Sequence, residues 1–227
     1  MRRIILHAGF HKTGTTSIQR FLQQHRSRLQ KVGIDFYAGK YIDNNHVELH
    51  AAAMRDERMS GFKVSTGFKS SAMFDEIRNR VGKSIEEAPR PAVLFSAEGL
   101  SYLRFEDEMD RLKAILGDRS TMVVFHRRNL VHWTASFKYQ LALDGSFSKD
   151  PDAFNYVEPD SWLFDIDARL QTFRRAFGEE NVIVLDYDAE VARARSVIPS
   201  FLSVIGADDV FPSETWNDIW ENKRPAA

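Results

Sequence analysis

The sequence predicts an α/β fold, a three-layer sandwich in which helices cover both faces of a central, mostly parallel sheet. Short apolar runs alternate with amphipathic stretches along the chain, as expected when parallel strands are joined by crossover helices. The chain has 227 residues, of which 43% are hydrophobic, and this is enough to bury one substantial core. We therefore expect one domain over residues 1–227.

The first half of the chain shows three strand signals. Residues 3–8 form an apolar run before a glycine-bearing loop, and a helix is expected from about Thr15. A short strand is expected at 34–38 and a buried one at 91–96. The helical spacing after Thr15 is carried by Ile18, Phe21, Leu22 and Leu29.

The second half continues the alternation. Apolar positions between 105 and 116 mark a helix that stops at Gly117, and 122–125 is another strand. The remaining predicted elements are a helix at about 129–143, a helix through Phe164, Leu170, Phe173 and Phe177 that ends at Gly178, a strand at 181–185, and a helix carrying Val197, Ile198, Phe201 and Leu202. The turn-rich polar stretch 144–151 is interpreted as a lid candidate.

Composition narrows the function classes. Lys plus Arg number 31 against 32 Asp plus Glu, for a net charge of −1, so the chain lacks the positive excess of a general nucleic-acid binder. The absence of cysteine excludes disulfides, thiolate zinc sites and cysteine nucleophiles. The N-terminal stretch lacks the pattern of a secretory signal, and no run is long enough to span a bilayer. We expect a cytoplasmic protein.

The loop from Gly9 to Thr16 is the most informative segment. A strand, a glycine-bearing loop and a helix start present backbone N–H groups and the helix dipole to an anion. The glycines have Walker A spacing, but Thr15 and Thr16 stand where that motif needs Lys-Ser or Lys-Thr. The lysine, Lys12, comes before Gly14, which places its charge nearer a bridging oxygen than the outer phosphates.

The run Lys12-Thr13-Gly14-Thr15-Thr16 resembles the 5′-phosphosulfate loop of the P-loop sulfotransferases, and the chain resembles a small, bacterial-type member of that family. The resemblance implies a P-loop nucleotide-hydrolase-like fold. It also implies that 3′-phosphoadenosine 5′-phosphosulfate (PAPS) is the sulfuryl donor, that adenosine 3′,5′-bisphosphate (PAP) is the product, and that no metal is required. The residues implied to bind the donor here are His11, Lys12, Thr13, Gly14, Thr15 and Thr16.

The resemblance extends to two later segments. The family's 3′-phosphate site has an arginine after a strand and a serine eight positions on, as in Arg128 and Ser136, although Leu130 replaces the family's usual proline. Arg127 remains an alternative phosphate ligand. Tyr187 follows a strand in a Tyr-Asp step similar to the family's adenine contact. The glycine-rich C-terminal segment of many members is missing here, and the role of Lys223-Arg224 stays open.

A base is needed to take the acceptor's proton. Glu98 is the first candidate, since it follows a buried strand whose carboxyl end lies at the same sheet edge as the loop. His46 is the reserve, and His50 shares its face if that stretch is helical. These two histidines lack a zinc-protease pattern and a third ligand, so no metal site is predicted.

Two further functions stay open at this stage. One is a magnesium-dependent P-loop kinase or nucleotide hydrolase, in which Thr15 or Thr16 and Glu98 hold the metal. The other is a non-catalytic nucleotide-binding protein. For a transferase, the acceptor is a small molecule or carbohydrate with a hydroxyl or amine, and neither its identity nor the oligomeric state follows from the sequence.

Overall fold

A five-stranded parallel sheet organises the chain in its computed structural model, which describes residues 2–212 and 215–216. Within those residues the strands are β1 (Arg3–His7), β2 (Ile34–Phe36), β3 (Ala92–Ser96), β4 (Thr121–Arg127) and β5 (Val182–Asp186). They lie in the order β2-β3-β1-β4-β5, and each pairing between neighbours is parallel. The predicted α/β fold with a mostly parallel central sheet is confirmed.

Helices connect the strands. In the first half they are α1 (Thr15–Gln24), α2 (Arg26–Lys31), α3 (Val47–Ala53), α4 (Gly61–Thr66), α5 (Ser70–Glu87) and α6 (Glu106–Leu116). In the second half they are α7 (Leu130–Leu143), α8 (Ile166–Phe177), α9 (Tyr187–Ala194) and α10 (Ile198–Ile205). Short 3-10 turns occupy Glu98–Tyr102, Trp162–Phe164, Glu179–Asn181 and Asp208–Val210. Among the described residues, no helix combines the length and the apolar character needed to cross a lipid bilayer.

The two faces of the sheet bury different side chains, because successive strand residues point to opposite sides. Ile5, Leu94 and Val124 pack with apolar residues of α1 and α10. Their neighbours Leu6 and Phe95 belong to the opposite core, which α3, α5, α6 and α8 complete. Both faces are therefore covered, which explains why the strands appear in the sequence as continuous apolar runs.

The strand order fixes the location of the candidate site. β1 lies at the centre, and the connection from β3 passes over it to reach β4 on its other side. The loops that follow β1, β3 and β4 consequently meet at one sheet edge. Parallel α/β sheets bind ligands in the crevice at such a reversal of strand order.

The predicted boundaries differ from the structure in a few places. The first helix breaks at His25, so that Leu29 belongs to a second short helix, and Phe164 lies in a 3-10 turn before α8. The strand expected at 34–38 ends at Phe36. Helices α4, α5 and α9 lie where the sequence analysis placed no element, and α3 begins one residue after His46.

Candidate active site

The loop between β1 and α1 has a strained backbone. Lys12 has φ 62° and Gly14 has φ 81°, so two residues of this short segment adopt left-handed conformations. A Cβ built on Gly14 would lie 2.7 Å from Cγ2 of Val197, and therefore only glycine fits without displacement. Strain of this kind is stored where a function requires the geometry.

The N-terminus of α1 is left available for an anion. Gly14 occupies the N-cap position, no side chain caps the helix, and its first turn contains no acidic residue. The Thr13 hydroxyl instead donates to the Phe10 carbonyl at 2.5 Å, which closes the loop on itself. First-turn N–H groups without a side-chain cap, at the positive end of a helix dipole, are suited to binding an anion such as phosphate.

Lys12 is held above the loop by α7. Its Nζ donates to Oε1 of Gln140 at 2.8 Å, and Nε2 of Gln140 in turn donates to Asp144 at 2.9 Å. Partial burial lowers the pKa of Lys12, while the charges of Glu98 and Asp144 oppose that shift. The ammonium therefore lies between the loop after β1 and the segment that follows α7.

Glu98 lies beside the loop at the start of the 3-10 turn after β3. The Thr15 hydroxyl donates to its Oε2 at 2.5 Å, and Oε1 is 3.9 Å from Nε2 of His11. Burial lowers the pKa of His11, so the imidazole is neutral at pH 7. The ring of His11 stacks on Tyr102 at 4.5 Å, and the Trp133 indole donates to the His11 carbonyl at 2.6 Å. The carboxylate thus adjoins the threonine at the first helical position.

The two consecutive arginines after β4 point in different directions. Arg128 donates to the Lys12 carbonyl at 3.0 Å, and its Nε is buried without a hydrogen-bond partner. Arg127 instead forms an exposed ion pair with Asp167 on α8 at 2.8 Å. The structure therefore brings Arg128 to the loop and directs Arg127 away from it.

Ser136 and Tyr187 flank this arrangement. Ser136 lies half-buried on α7, one helical turn before Gln140 and on the same face. The Tyr187 ring lies 4.8 Å beneath the Arg128 guanidinium, and its edge is 3.7 Å from the position of a Cβ on Gly14. Tyr187 therefore adjoins the loop and Arg128, and Ser136 lies on the same face of α7 as Gln140.

The two histidines considered as bases lie in different surroundings. His46 is fully buried among Phe36, Tyr37 and Phe95, and its Nδ1 accepts the Ser96 backbone N–H at 2.9 Å. Burial lowers its pKa to about 3. His46 therefore supports the end of β3 rather than reaching an acceptor, which argues against its reserve role as base.

His50 lies nearer the site. Its Nε2 is 3.0 Å from the Ser60 hydroxyl, and its ring packs so closely on Gly99 that a Cβ there would lie 2.4 Å from Nδ1. Burial lowers the pKa of His50 to about 3. A neutral histidine at this position fixes the backbone beside Glu98. Among the residues that the structure describes, no group of three or more His, Asp or Glu is arranged to hold a metal ion.

A cavity of about 820 Å³ opens beside these groups. Glu98, His11 and Gln140 line the end next to the loop, and α4 with residues 144–155 forms the opposite walls. The stretch interpreted as a lid candidate thus forms part of the cavity, and its movement stays a prediction. The volume is that of a typical small-molecule pocket.

Three residues of this arrangement were not singled out from the sequence. Gln140 holds Lys12, Trp133 holds the loop carbonyl of His11, and Tyr102 supports the His11 ring. Helical spacing could have grouped two of them, because positions 133, 137 and 140 lie on one face of α7. The prediction for Lys223-Arg224 falls outside the described residues.

Comparison with solved structures shows that the chain shares its fold with several known proteins. The chain is similar to a sulfotransferase from Alicyclobacillus acidocaldarius at 18% identity and a TM-score of 0.58, over 99% of this chain and 87% of that one. It is also similar to the sulfotransferase domain of the Synechococcus PCC 7002 olefin synthase (15%, TM-score 0.50) and to that of the curacin biosynthetic pathway (12%, TM-score 0.51). Each of these likenesses covers 98% of this chain and 78% of the other.

The resemblance noted from the phosphate loop is thereby confirmed at the level of fold, because all three structures are sulfotransferases or sulfotransferase domains. No protein-family model matches the chain, and no curated protein sequence matches it either.

Proposed function

We propose that this protein transfers a sulfuryl group from PAPS to a hydroxyl or amine of a small-molecule or carbohydrate acceptor. The observation that carries the proposal is the position of Lys12, which precedes Gly14 in a strained loop and adjoins both a free helix N-terminus and the Glu98 carboxylate. A cation inside the loop is suited to the oxygen that bridges phosphorus and sulfur. The likeness to sulfotransferase folds supports the same reaction class.

Donor binding is assigned to three parts of the site. The N–H groups at the start of α1 and the Thr16 hydroxyl hold the 5′-phosphosulfate, and the Thr15 hydroxyl joins them once it exchanges its bond to Glu98 for a donor oxygen. Arg128 holds the 3′-phosphate together with Ser136, and the buried Nε of Arg128 supplies a donor for a phosphate oxygen. Tyr187, already beneath the guanidinium, packs against the adenine ring.

The transfer step follows from the relative positions of Glu98 and Lys12. Oε1 of Glu98 takes the proton of the acceptor hydroxyl or amine as that atom attacks sulfur. The bond from sulfur to the bridging phosphate oxygen breaks on the opposite side, and PAP leaves with the bonding electrons. Lys12 and the loop N–H groups stabilise the charge that develops on that oxygen. Lys12 must exchange its bond to Gln140 for the donor oxygen.

A magnesium-dependent nucleotide kinase or hydrolase is the second candidate. The hydrogen bond between Thr15 and Glu98 favours it, since a hydroxyl after the loop and an acid after a neighbouring strand hold magnesium in P-loop enzymes. In the proposed transferase, by contrast, cationic side chains and fixed N–H groups stabilise the charge, and no metal is required. Turnover of ATP that depends on magnesium is the discriminating observation.

The experiment separates binding from transfer. Lys12→Ala is expected to slow PAPS-dependent transfer by about 10²-fold or more, because it removes charge stabilisation of the leaving group. Glu98→Gln is expected to slow transfer by about 10²- to 10⁴-fold through loss of the base, with PAP affinity within about twofold of the parent. Transfer at the parent rate by Glu98→Gln would remove Glu98 as the base.

The matched controls carry the same substitutions on an exposed helix. Lys83 and Glu87 on α5 form a surface pair with side chains 72% and 67% exposed. Lys83→Ala and Glu87→Gln should leave both transfer and PAP binding unchanged, because a pair of this kind contributes little to stability.

We also place the activity in the cytoplasm, which the absence of cysteine from the chain supports.

A further inference from the structure

We infer that the acceptor is a neutral alcohol or phenol with a predominantly apolar body. This inference rests on the proposed function and concerns the cavity of about 820 Å³ beside Glu98. The chemistry of the cavity walls, which the reaction itself does not specify, supports it.

Aromatic side chains form much of the cavity wall. They come from α4, the 3-10 turn after β3, α7 and the segment after α7, and they are Phe62, Tyr102, Phe137, Phe147 and Phe154. Rings from four separate elements enclose a ligand with apolar surface on several sides. Such a wall binds hydrocarbon or aromatic surface through burial and ring contacts.

The rim of the cavity is also apolar. Ile42, Met59, Val64 and Phe147 line it and remain 43%, 42%, 59% and 54% exposed. Val64 belongs to α4, Ile42 and Met59 precede that helix, and Phe147 follows α7, so they come from separate parts of the chain. Exposed apolar side chains gathered at an opening mark a ligand site rather than scattered surface residues. The ligand's apolar body therefore extends from the wall towards the rim.

The charges on the wall disfavour an acidic acceptor. Among the described residues, no lysine or arginine lines the cavity, whereas Glu98 and Asp144 both do. His11 and His50 are neutral at pH 7 because burial lowers the pKa of each. The nearby Lys12 ammonium bonds to Gln140 and is assigned to the donor oxygen, so a carboxylate or sulfate in this cavity would face like charges with no cation of the wall to pair it.

Several polar wall groups are already paired with one another, which disfavours a sugar. The Ser60 hydroxyl contacts His50, Gln140 donates to Asp144, and Asn155 donates to the Ser146 carbonyl. A carbohydrate needs many unpaired donors and acceptors to replace its bonds to water. Asn45 Oδ1 and His50 Nδ1 are buried without a partner, which is few positions for the many hydroxyls of a sugar.

The test measures binding to the protein saturated with PAP, so that it does not depend on turnover. Calorimetry compares 2-naphthol, 6-hydroxy-2-naphthoate and N,N′-diacetylchitobiose, which are an apolar phenol, the same body with a carboxylate, and a neutral sugar. We expect 2-naphthol to bind at least about tenfold more tightly than either of the others, a difference of about 1.4 kcal/mol.

A charge variant tests whether the wall sets this preference. Val64→Arg adds a cation at the rim, and we expect it to tighten 6-hydroxy-2-naphthoate by about fivefold and to weaken 2-naphthol. Leu143→Arg is the matched control, since Leu143 is 64% exposed and does not line the cavity. It should change neither affinity.

Two failures are distinguishable. If PAP binds but the carboxylate or the sugar binds as tightly as 2-naphthol, or if 2-naphthol does not bind, the acceptor class is wrong and the proposed reaction stands. A protein that does not bind PAP overturns the proposed function and this inference together.

Discussion

Gly14 offers a test of the loop that separates backbone strain from close packing. Gly14→Ala places a methyl group on a residue with φ 81°, 2.7 Å from Cγ2 of the buried Val197. A left-handed backbone at a non-glycine residue costs about 1–2 kcal/mol. Overpacking against a stiff valine costs a further 1–3 kcal/mol or so. We therefore expect a loss of about 2–5 kcal/mol in the free energy of unfolding.

Gly206 supplies the matched control for Gly14. It has φ 72° at the C-cap of α10, but a Cβ there meets no atom within 4 Å. Gly206→Ala should therefore cost only the backbone component, about 1–2 kcal/mol. Gly14→Ala should in addition weaken PAP binding by about tenfold or more, because the displaced loop no longer presents its N–H groups together, whereas Gly206→Ala should bind PAP normally.

Equilibrium unfolding in urea, followed by circular dichroism, measures the stabilities of both variants, and calorimetry measures their affinity for PAP. The difference between the variants isolates the steric contribution of Val197. If Gly14→Ala costs no more than Gly206→Ala and binds PAP equally well, the close packing of the loop is not what requires glycine.

Arg128→Ala should raise the dissociation constant of PAP by about tenfold or more, whereas Arg127→Ala should change it less than about twofold; equal effects in a titration would contradict the assignment. Gly99→Ala should destabilise by about 1–3 kcal/mol through the His50 ring, and Gly82→Ala on α5, with open space around it, should stabilise by about 0.5–1 kcal/mol in urea unfolding. Acid should also destabilise the fold. Burial lowers the pKa of His46 and His50 to about 3 and that of His126 to about 4. Below pH 6.5 these three histidines therefore bind protons in the unfolded chain but stay neutral in the folded one. Stability is then full above about pH 6.5 and decreases by about 2 kcal/mol per histidine at pH 5, and equal urea midpoints at pH 7 and pH 5 would refute this.

The parallel sheet was predictable because its strands are covered on both faces. Such strands form apolar runs that periodicity separates from the amphipathic helices between them. The helices that escaped prediction did so for different reasons. Each residue of α3 is buried, so no polar face marks a helical period. In α5 the signal was present, since Ile77, Val81 and Ile85 recur every four residues.

The loop at the candidate site was predictable because its pattern is local. Gly9, Lys12 and Gly14 lie between a strand and a helix start, and contiguous residues fix their geometry. The partners of these residues come from distant parts of the chain and depend on tertiary packing. Lys12 meets Gln140 across 128 residues, and no local pattern specifies that contact.

Strand alternation could have resolved the choice between the two arginines. Arg127 is the last residue of β4 and shares its side with Val123 and Phe125, which face the core that α8 completes. Its ion pair with Asp167 of α8 is consistent with that side. Arg128 lies beyond the strand and is free to turn towards the loop.

The dependence on tertiary packing also explains why the sequence could not assign roles to His46 and His50. A helical spacing of four residues predicts a shared face for His46 and His50, but the helix begins at Val47, so His46 lies at its N-cap. Its burial between strand and loop depends on Phe36 and Phe95, which lie on separate strands. Residue spacing alone therefore could not separate a structural histidine from a base.

The most direct test of the central claim is a calorimetric titration of the protein with PAP and with ATP, each with and without magnesium. The proposed function predicts that PAP binds more tightly than ATP and that magnesium leaves the affinity for PAP essentially unchanged. Preferential, magnesium-dependent binding of ATP would contradict it and would favour the nucleotide kinase or hydrolase.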